Sequence, residues 1–410
     1  MNENEFAARV AALGGQLYVV GGWVRDRLIG RPAEDKDYVV CGLDAQTLER
    51  EFQVRSVGRQ FPVYLLEVGG RLSEVALART ERKTGTGYRG FEARFSPETT
   101  IEEDLYRRDT RMNSMAVRLP GGELIDPFGG RGDIENEIIR ATSEHFRDDP
   151  VRALRAARQS AQLGFSIDPG TVELMSACRG ELAREPAERV FAEMRRALAS
   201  PRPEFFFTAL RDAGILDAVF PELAALIGVK QPVKYHRGLD AFEHSMEVLR
   251  RAAALTPRAA TRFAALVHDL GKELTPRQEW PHHIGHEERG LAALERLDRR
   301  MTLPRPWYRF ARFMIANHMR LPRLRRPGAI VAVIEEMRRG GFDAAEVAAV
   351  IRADHGTLPD FLQRYGRYAA VLDEERARLA FPADLPPQAR GRWLRMRLAE
   401  ALARRLPPEG

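Results

Sequence analysis

At 410 residues, 44% hydrophobic and 30% charged, the chain has length for roughly two to four domains with cores of their own and needs no disulfide staples. The net charge of +6 suits a polyanionic partner, but the excess of arginine over lysine would also follow from a GC-rich genome, so charge alone does not decide. No apolar run reaches membrane-spanning length, the N-terminus MNENEFAARV is too polar for a signal peptide, and Cys41 and Cys178 share no metal or redox spacing, so a cytoplasmic protein with no membrane partner is expected. Residues 1 to about 140 read as a β-rich mixed segment. The rest reads as almost wholly helical.

The stretch from Tyr18 to Val40, YVVGGWVRDRLIGRPAEDKDYVV, predicts a strand, a Gly21-Gly22 turn, a short helix and a second strand carrying Asp35 and Asp37. Alternation on a strand points these two aspartates the same way, and paired carboxylates with nothing positive between them are costly. A divalent cation removes that cost, and Mg²⁺ is held through one or two carboxylates together with substrate phosphates. The turn before a helix supplies backbone N–H groups for those phosphates. The order G-G-x-V-R-D-x-L-x-G and then D-x-D resembles the nucleotidyltransferase superfamily, and more closely the bacterial tRNA nucleotidyltransferases (CCA-adding enzymes) and their poly(A) polymerase relatives. The resemblance implies Mg²⁺ on Asp35 and Asp37, with Gly22 and Arg25 at the nucleotide.

FPVYLLEVGGRLSEVALAR alternates and breaks at Gly69-Gly70, which predicts a β-hairpin. Its second arm carries Glu74, either a third catalytic carboxylate or a solvated strand residue. TERKTGTGYRGFEARFSP has no apolar period and is expected to be a mobile loop. In the resembling enzymes a loop here is tied to terminal A addition, which argues against addition of C alone.

In IEEDLYRRDTRMNSMAVRL, Glu102, Glu103 and Asp104 precede a helix-like run, and Arg107, Arg108 and Asp109 form a charged triplet. Guanidinium forks match phosphate oxygens, although such a triplet also suits a solvated helix face. It resembles the family's R-R-D-x-x-x-N motif, which implies nucleotide binding by Arg108, Asp109 and Asn113. IDPFGGRGDI, residues 125–134, resembles the motif that closes the same domain.

In HFRDDPVRALRAARQSAQLGF, Asp149 suits an N-cap and Pro150 the first helical turn. Arg152, Arg155 and Arg158 recur every three residues, a strip that slants about 60° per step around the helix. The motif is similar to the family's E-D-x-x-R, in which an Asp and an Arg pair with the edge of the incoming base. That implies base reading by Asp149 and Arg152, with Arg155 and Arg158 facing the nucleotide. Asp148 stands in place of the family's longer first acid, which implies looser orientation of Arg152. A carboxylate accepting from an exocyclic amino group beside a guanidinium donating to a ring nitrogen selects cytosine and adenine over uracil and guanine. Each mispaired polar group left dry costs about 1–3 kcal/mol.

Residues 171 to 226 have helical period, with Phe205, Phe206 and Phe207 as expected core residues. Seven of the nine histidines then fall between 236 and 318. The order His244, His268-Asp269, Asp354 resembles the HD phosphohydrolases and implies a metal held by those four residues, with Lys272, His283 and His286 around a phosphate. Imidazole with carboxylate suits Ni²⁺, Mn²⁺ or Co²⁺ as well as Mg²⁺. In the tail, Trp393 among arginines suits either an RNA backbone or packing on a neighbouring helix.

The expected fold is an α+β nucleotidyltransferase head with a mixed sheet (1–140), an all-α neck and body (141–226), a helical HD domain (227–356) and a helical tail (357–410). The function implied is template-independent addition of C, C and A to the tRNA 3′ end from CTP and ATP, by a monomer or homodimer, with HD hydrolysis of 2′,3′-cyclic and terminal phosphates. The rivals are A addition alone, a poly(A) polymerase, or an HD phosphohydrolase whose head only binds RNA.

Overall fold

A computed structural model describes residues 1–54, 56–57, 62–85, 90–233 and 238–405. Its contacts divide the chain into two units, Met1–Ala197 with Phe205–Val219, and Leu198–Glu204 with Phe220–Gly410. No helix among the described residues is long and apolar enough to cross a membrane.

The first unit is built on a mixed sheet. Its strands are β1 (Gln16–Val20), β2 (Asp37–Cys41), β3 (Ser56–Val57), β4 (Val63–Val68), β5 (Arg71–Leu77), β8 (Ala116–Leu119) and β9 (Leu124–Ile125), in the order β3-β4-β5-β2-β1-β8-β9. The β2–β5 pairing is parallel and the β1–β2, β1–β8 and β4–β5 pairings are antiparallel. Alternation sends Leu17, Val19, Tyr38, Val40, Val75 and Leu77 into a core with Phe6 of the helix Glu3–Ala12. Tyr18, Val20 and Val39 pack on the other face with Ile101 and Leu105.

Two expectations change here. Strand β2 begins at Asp37, and Asp35 lies in the connection before it, so strand alternation does not orient Asp35. Pairing starts where Asp37 meets Val20, after a linker that contains Pro32, a residue without an N–H. The expected loop after Ala78 contains an antiparallel ribbon of β6 (Arg79–Lys83) and β7 (Phe91–Phe95), held by backbone pairing and by Arg79–Glu81 at 2.9 Å rather than by an apolar period. Residues 86–89 of that segment, and with them the tip of the proposed moving loop, lie outside the described residues.

The second unit is helical. The helix Ala259–Val267 is buried from Thr261 onward among the helices Ala241–Leu255, Arg305–Asn317 and Ala344–His355. Gly271 and Gly290 allow the helix His286–Met301 to cross close to the turn after Asp269: a Cβ on Gly271 would run into the backbone O of His286, and one on Gly290 would sit 2.7 Å from Ile315 Cγ2. In the tail, Trp393 packs on Phe381 with ring centroids 5.5 Å apart, and Arg397 lies over its ring. That is the packing alternative for Trp393.

Candidate functional site

In the first unit a cavity of about 540 Å³ opens over the edge formed by β1, β2 and β5. Gly21 and Gly22 form its turn, Asp37 and Glu74 its carboxylate wall, and Arg108, Asp109, Asn113, Asp149, Arg152 and Arg155 its opposite side. Gly21 has φ +73°, and a Cβ there would stand 3.4 Å from Arg108 Nη1, so glycine lets the turn and the guanidinium share this corner.

Asp37 and Glu74 are register partners on the parallel strands β2 and β5. Burial pushes the Asp37 carboxyl up, Glu74 and Asp35 add to the rise, and Arg108 opposes it. A wall of hard carboxylate oxygens whose charges raise one another fits a divalent cation such as Mg²⁺. Asp35 is exposed and does not line the cavity, so the structure brings Asp37 and Glu74 together more directly than Asp35 and Asp37.

The arginines are held by carboxylates from below. The helix Ile101–Tyr106 is capped by Thr100 and Glu103, so the acids expected to precede it lie in its first turn. This places Asp104 one turn before Arg107 and Arg108, and its two oxygens accept from Arg107 Nη2 at 2.6 Å and Arg108 Nη2 at 2.9 Å. Asp104 has no exposed surface, and the two guanidiniums overcome burial to keep its carboxyl far below the usual range. Arg107 also meets Glu81 at 2.9 Å.

Asp109 is the hub of a second network. It accepts from Asn113 Nδ2 at 3.1 Å, the Thr110 N–H at 2.8 Å, Gln159 Nε2 at 3.3 Å and Arg155 Nε at 2.7 Å. Arg25 does not line the cavity; it donates to Asn113 Oδ1 at 2.8 Å and so fixes that amide.

Asp149 and Arg152 stand at the start of the helix Val151–Leu163, whose N-cap position is Pro150. Asp149 still accepts from the Val151 N–H at 3.2 Å. Arg152 donates to the His145 carbonyl at 2.6 Å, and Asp148 accepts from or shares a proton with His145 Nδ1 at 2.7 Å, so Asp148 reaches Arg152 only through His145. Arg158 is turned to Glu193 and to Gln162 Oε1, the latter at 2.6 Å, and does not line the cavity. The slant of the strip explains this: two steps of three residues carry Arg158 about 120° around the helix from Arg152.

Glu81, Asp104 and Arg189 were not expected at the site. Asp104 was accessible through its spacing from Arg107 and Arg108; Arg189, from a distant helix, and Glu81, from the ribbon, gave no local signal.

The second unit gathers a histidine cluster. His244 Nε2 lies 3.5 Å from Asp269 Oδ2 and 3.2 Å from Asp354 Oδ1, and His268 Nε2 lies 3.1 and 3.6 Å from the same two oxygens. Burial would lower the His268 imidazole, but Asp269 and Asp354 outweigh it and raise its pKa to about 10. Two carboxylates and two imidazoles converging in a buried pocket fit a first-row divalent metal. Lys272 is buried and its Nζ lies 2.6 Å from Asp269 Oδ2, with Gln231 as its other partner. His283 uses both ring nitrogens, on Thr275 Oγ1 at 2.6 Å and the Lys230 carbonyl at 2.8 Å. His286 faces Asp269 Oδ1 and His318. The trio expected around a phosphate is thus engaged with protein groups.

Fold and site together define a nucleotidyltransferase head joined in one chain to an HD domain. Residues 17–140 match the poly A polymerase head domain, 164–227 the probable RNA and SrmB-binding site of polymerase A, and 241–375 the HD domain. The chain is 44% identical over 326 residues to a multifunctional CCA protein of Nitrosococcus oceani, covering 78% of this chain and 79% of that one. It is 47% identical over 309 residues to one of Methylococcus capsulatus, covering 74% and 72%. It belongs to the multifunctional CCA protein family. A CCA-adding enzyme of Bacillus stearothermophilus in complex with CTP shares the fold with a TM-score of 0.64 and 25% identity, covering 98% of this chain and 93% of that one. A CCA-adding enzyme with ATP matches with a TM-score of 0.65 and 20% identity over 97% and 88%.

Proposed function

We propose that the first unit adds C, C and A to the 3′ end of tRNA from CTP and ATP with release of pyrophosphate. The observation that carries this is one cavity holding both the Asp37–Glu74 carboxylate wall and the Asp149–Arg152 pair. Asp37 and Glu74, with Asp35 adding its charge from the preceding connection, would hold Mg²⁺. When bound, the ion supplies charge neutralisation at the α-phosphate and acidifies the attacking 3′-hydroxyl. The chain's own groups do the positioning. Arg108 and the N–H groups at Gly21-Gly22 take the triphosphate, Asp109 and Asn113 meet the sugar end, and Arg155 is aimed by Asp109. Asp149 accepts from the exocyclic amino group of cytosine or adenine while Arg152 donates to the adjacent ring nitrogen. Arg25 and Arg158 act behind this layer, through Asn113 and Glu193.

The second unit, by the same proposal, hydrolyses 2′,3′-cyclic and terminal phosphates with a divalent metal on His244, His268, Asp269 and Asp354. When bound, that metal supplies a Lewis acid for the phosphate oxygens.

The test supplies tRNA ending at the discriminator base, or ending in CC, with CTP, ATP and Mg²⁺. CTP incorporation followed by one A supports the proposal; A addition only to the CC-ended substrate would leave an A-adding enzyme. Asp37→Ala should end incorporation and leave hydrolysis of 2′,3′-cyclic AMP intact, whereas Asp354→Asn should do the reverse.

A further inference from the structure

The four residues assigned above use Asp269 mainly through Oδ2. Its other oxygen, Oδ1, is buried and, among the described residues, has no hydrogen-bond donor aligned on it. It faces two histidines outside that set. His286 Nε2 lies 3.3 Å away and His318 Nε2 3.4 Å away, and the two nitrogens are 3.1 Å from each other.

The protonation of both rings is fixed from behind. His286 Nδ1 lies 2.8 Å from the His283 carbonyl and His318 Nδ1 lies 3.0 Å from the Ile315 carbonyl. A carbonyl oxygen only accepts, so each Nδ1 carries the hydrogen and each neutral ring presents a lone pair at Nε2. Three lone-pair atoms thus converge in a region where Asp269, His286 and His318 are 2%, 5% and 1% exposed. A single extra proton would bridge one pair of the three and leave the third atom unsatisfied. One cation satisfies all three.

The spacing agrees. Metal–nitrogen bonds of about 2.1 Å place adjacent ligand atoms about 3.0 Å apart at right angles and about 3.4 Å apart at tetrahedral angles. The three observed separations, 3.1, 3.3 and 3.4 Å, fall within that interval. Backbone carbonyls orienting metal-ligating imidazoles through Nδ1 are the usual supporting contacts of such sites.

We propose that Asp269, His286 and His318 form a second divalent-metal site, so that Asp269 bridges two ions, one on Oδ2 and one on Oδ1. Two imidazoles and one carboxylate suit Mn²⁺, Fe²⁺, Co²⁺ or Ni²⁺ and leave coordination positions open for a phosphate oxygen or water. The inference rests on the reading of His244, His268, Asp269 and Asp354 as the first site and assigns His286 a ligand's role.

The test uses the full chain with Asp35→Asn and Asp37→Asn as the parent, so that the head contributes no strong carboxylate site. Metal-stripped protein is titrated with Mn²⁺ and followed by equilibrium dialysis and electron paramagnetic resonance. The expected result is two ions per chain and the spin-coupled spectrum of ions sharing a carboxylate. His318→Ala should bind one ion with an uncoupled spectrum, and His244→Ala likewise. Melting in EDTA is the folding control: His318→Ala, or His318→Gln if Ala does not fold, should melt within a few degrees of the parent and lose part of the rise that Mn²⁺ gives. One ion per chain in the parent, unchanged by His318→Ala, would overturn the second site and leave the first-site reading standing. No bound ion in the parent would overturn both, and two ions retained in a folded His318 variant would overturn the assignment of His318.

Discussion

Both carboxylate oxygens of Asp149 lie against one nitrogen of Arg189, Nη2, at 3.0 and 2.9 Å. Arg189 is itself held by Glu185 through Nη1 at 2.6 Å. The carboxylate proposed to read the base is therefore aimed by a residue forty positions away in sequence, on the helix Ala187–Leu198. A carboxylate offers about four lone-pair sites, so this grip leaves capacity for a base amino group.

Arg189→Ala should release that aim. Selectivity for CTP and ATP over UTP and GTP should fall about tenfold, the equivalent of about 1.4 kcal/mol and within the usual cost of one mispaired polar group. Single-nucleotide incorporation kinetics with each of the four triphosphates measure it. Loss of turnover with unchanged selectivity would remove Arg189 from base reading.

Glu74 is the neighbour of Asp37 in the β2–β5 register. Glu74→Gln keeps the shape and removes one charge from the wall. The Mg²⁺ concentration giving half-maximal incorporation should rise about 10–100-fold, the range found when supporting carboxylates of metal sites are removed. A Mg²⁺ titration of the incorporation rate decides it, and an unchanged midpoint would return Glu74 to the role of a solvated strand residue.

Much of this site was legible in the sequence because its chemistry is carried by short motifs: Gly21-Gly22, Arg107-Arg108-Asp109 with Asn113, and Asp149 with Arg152. What stayed hidden depends on pairing and on direction. The juxtaposition of Asp37 and Glu74 needs the register of two strands that are not adjacent in sequence, and Asp35 fell off the strand because pairing begins one residue pair later. Spacing placed Arg158 on the right helix but not on the right face. The ribbon β6–β7 has no apolar period to reveal it, since its pairing is polar. In the second unit, the order H…HD…D marked four residues correctly as neighbours, while the contacts of Lys272, His283 and His286 depend on how helices cross.

Asp109 is buried, and burial, which would raise its carboxyl, is outweighed by Arg155, Asn113 and the Thr110 N–H, which hold it well below the carboxylate range. A depressed native value means that its contribution to stability is complete above the unfolded value of about 3.9 and is lost as pH falls toward the native value. Asp109→Asn should cost about 3–5 kcal/mol at neutral pH by leaving Arg155 without its partner. It should also reduce the loss of stability between about pH 4 and pH 2. Urea unfolding across that range, parent against variant, checks both signs.

Gly271→Ala places a methyl group against the backbone of His286 and Gly290 in the second unit. Overpacking of this kind costs about 1–3 kcal/mol. The variant should melt earlier and bind metal more weakly at the histidine cluster, because the helix starting at His286 has to move outward. Calorimetry with and without Mn²⁺ separates the two effects.

The buried Asp104 has a consequence for affinity. Because one carboxylate clamps Arg107 and Arg108, both side chains have already lost most of their rotamer freedom when the chain folds. A triphosphate arriving at the cavity then orders cations that are already ordered, and the entropic penalty of gripping it is correspondingly small. Asp104 would in this way govern how tightly every nucleotide binds, C or A alike, without touching any of them.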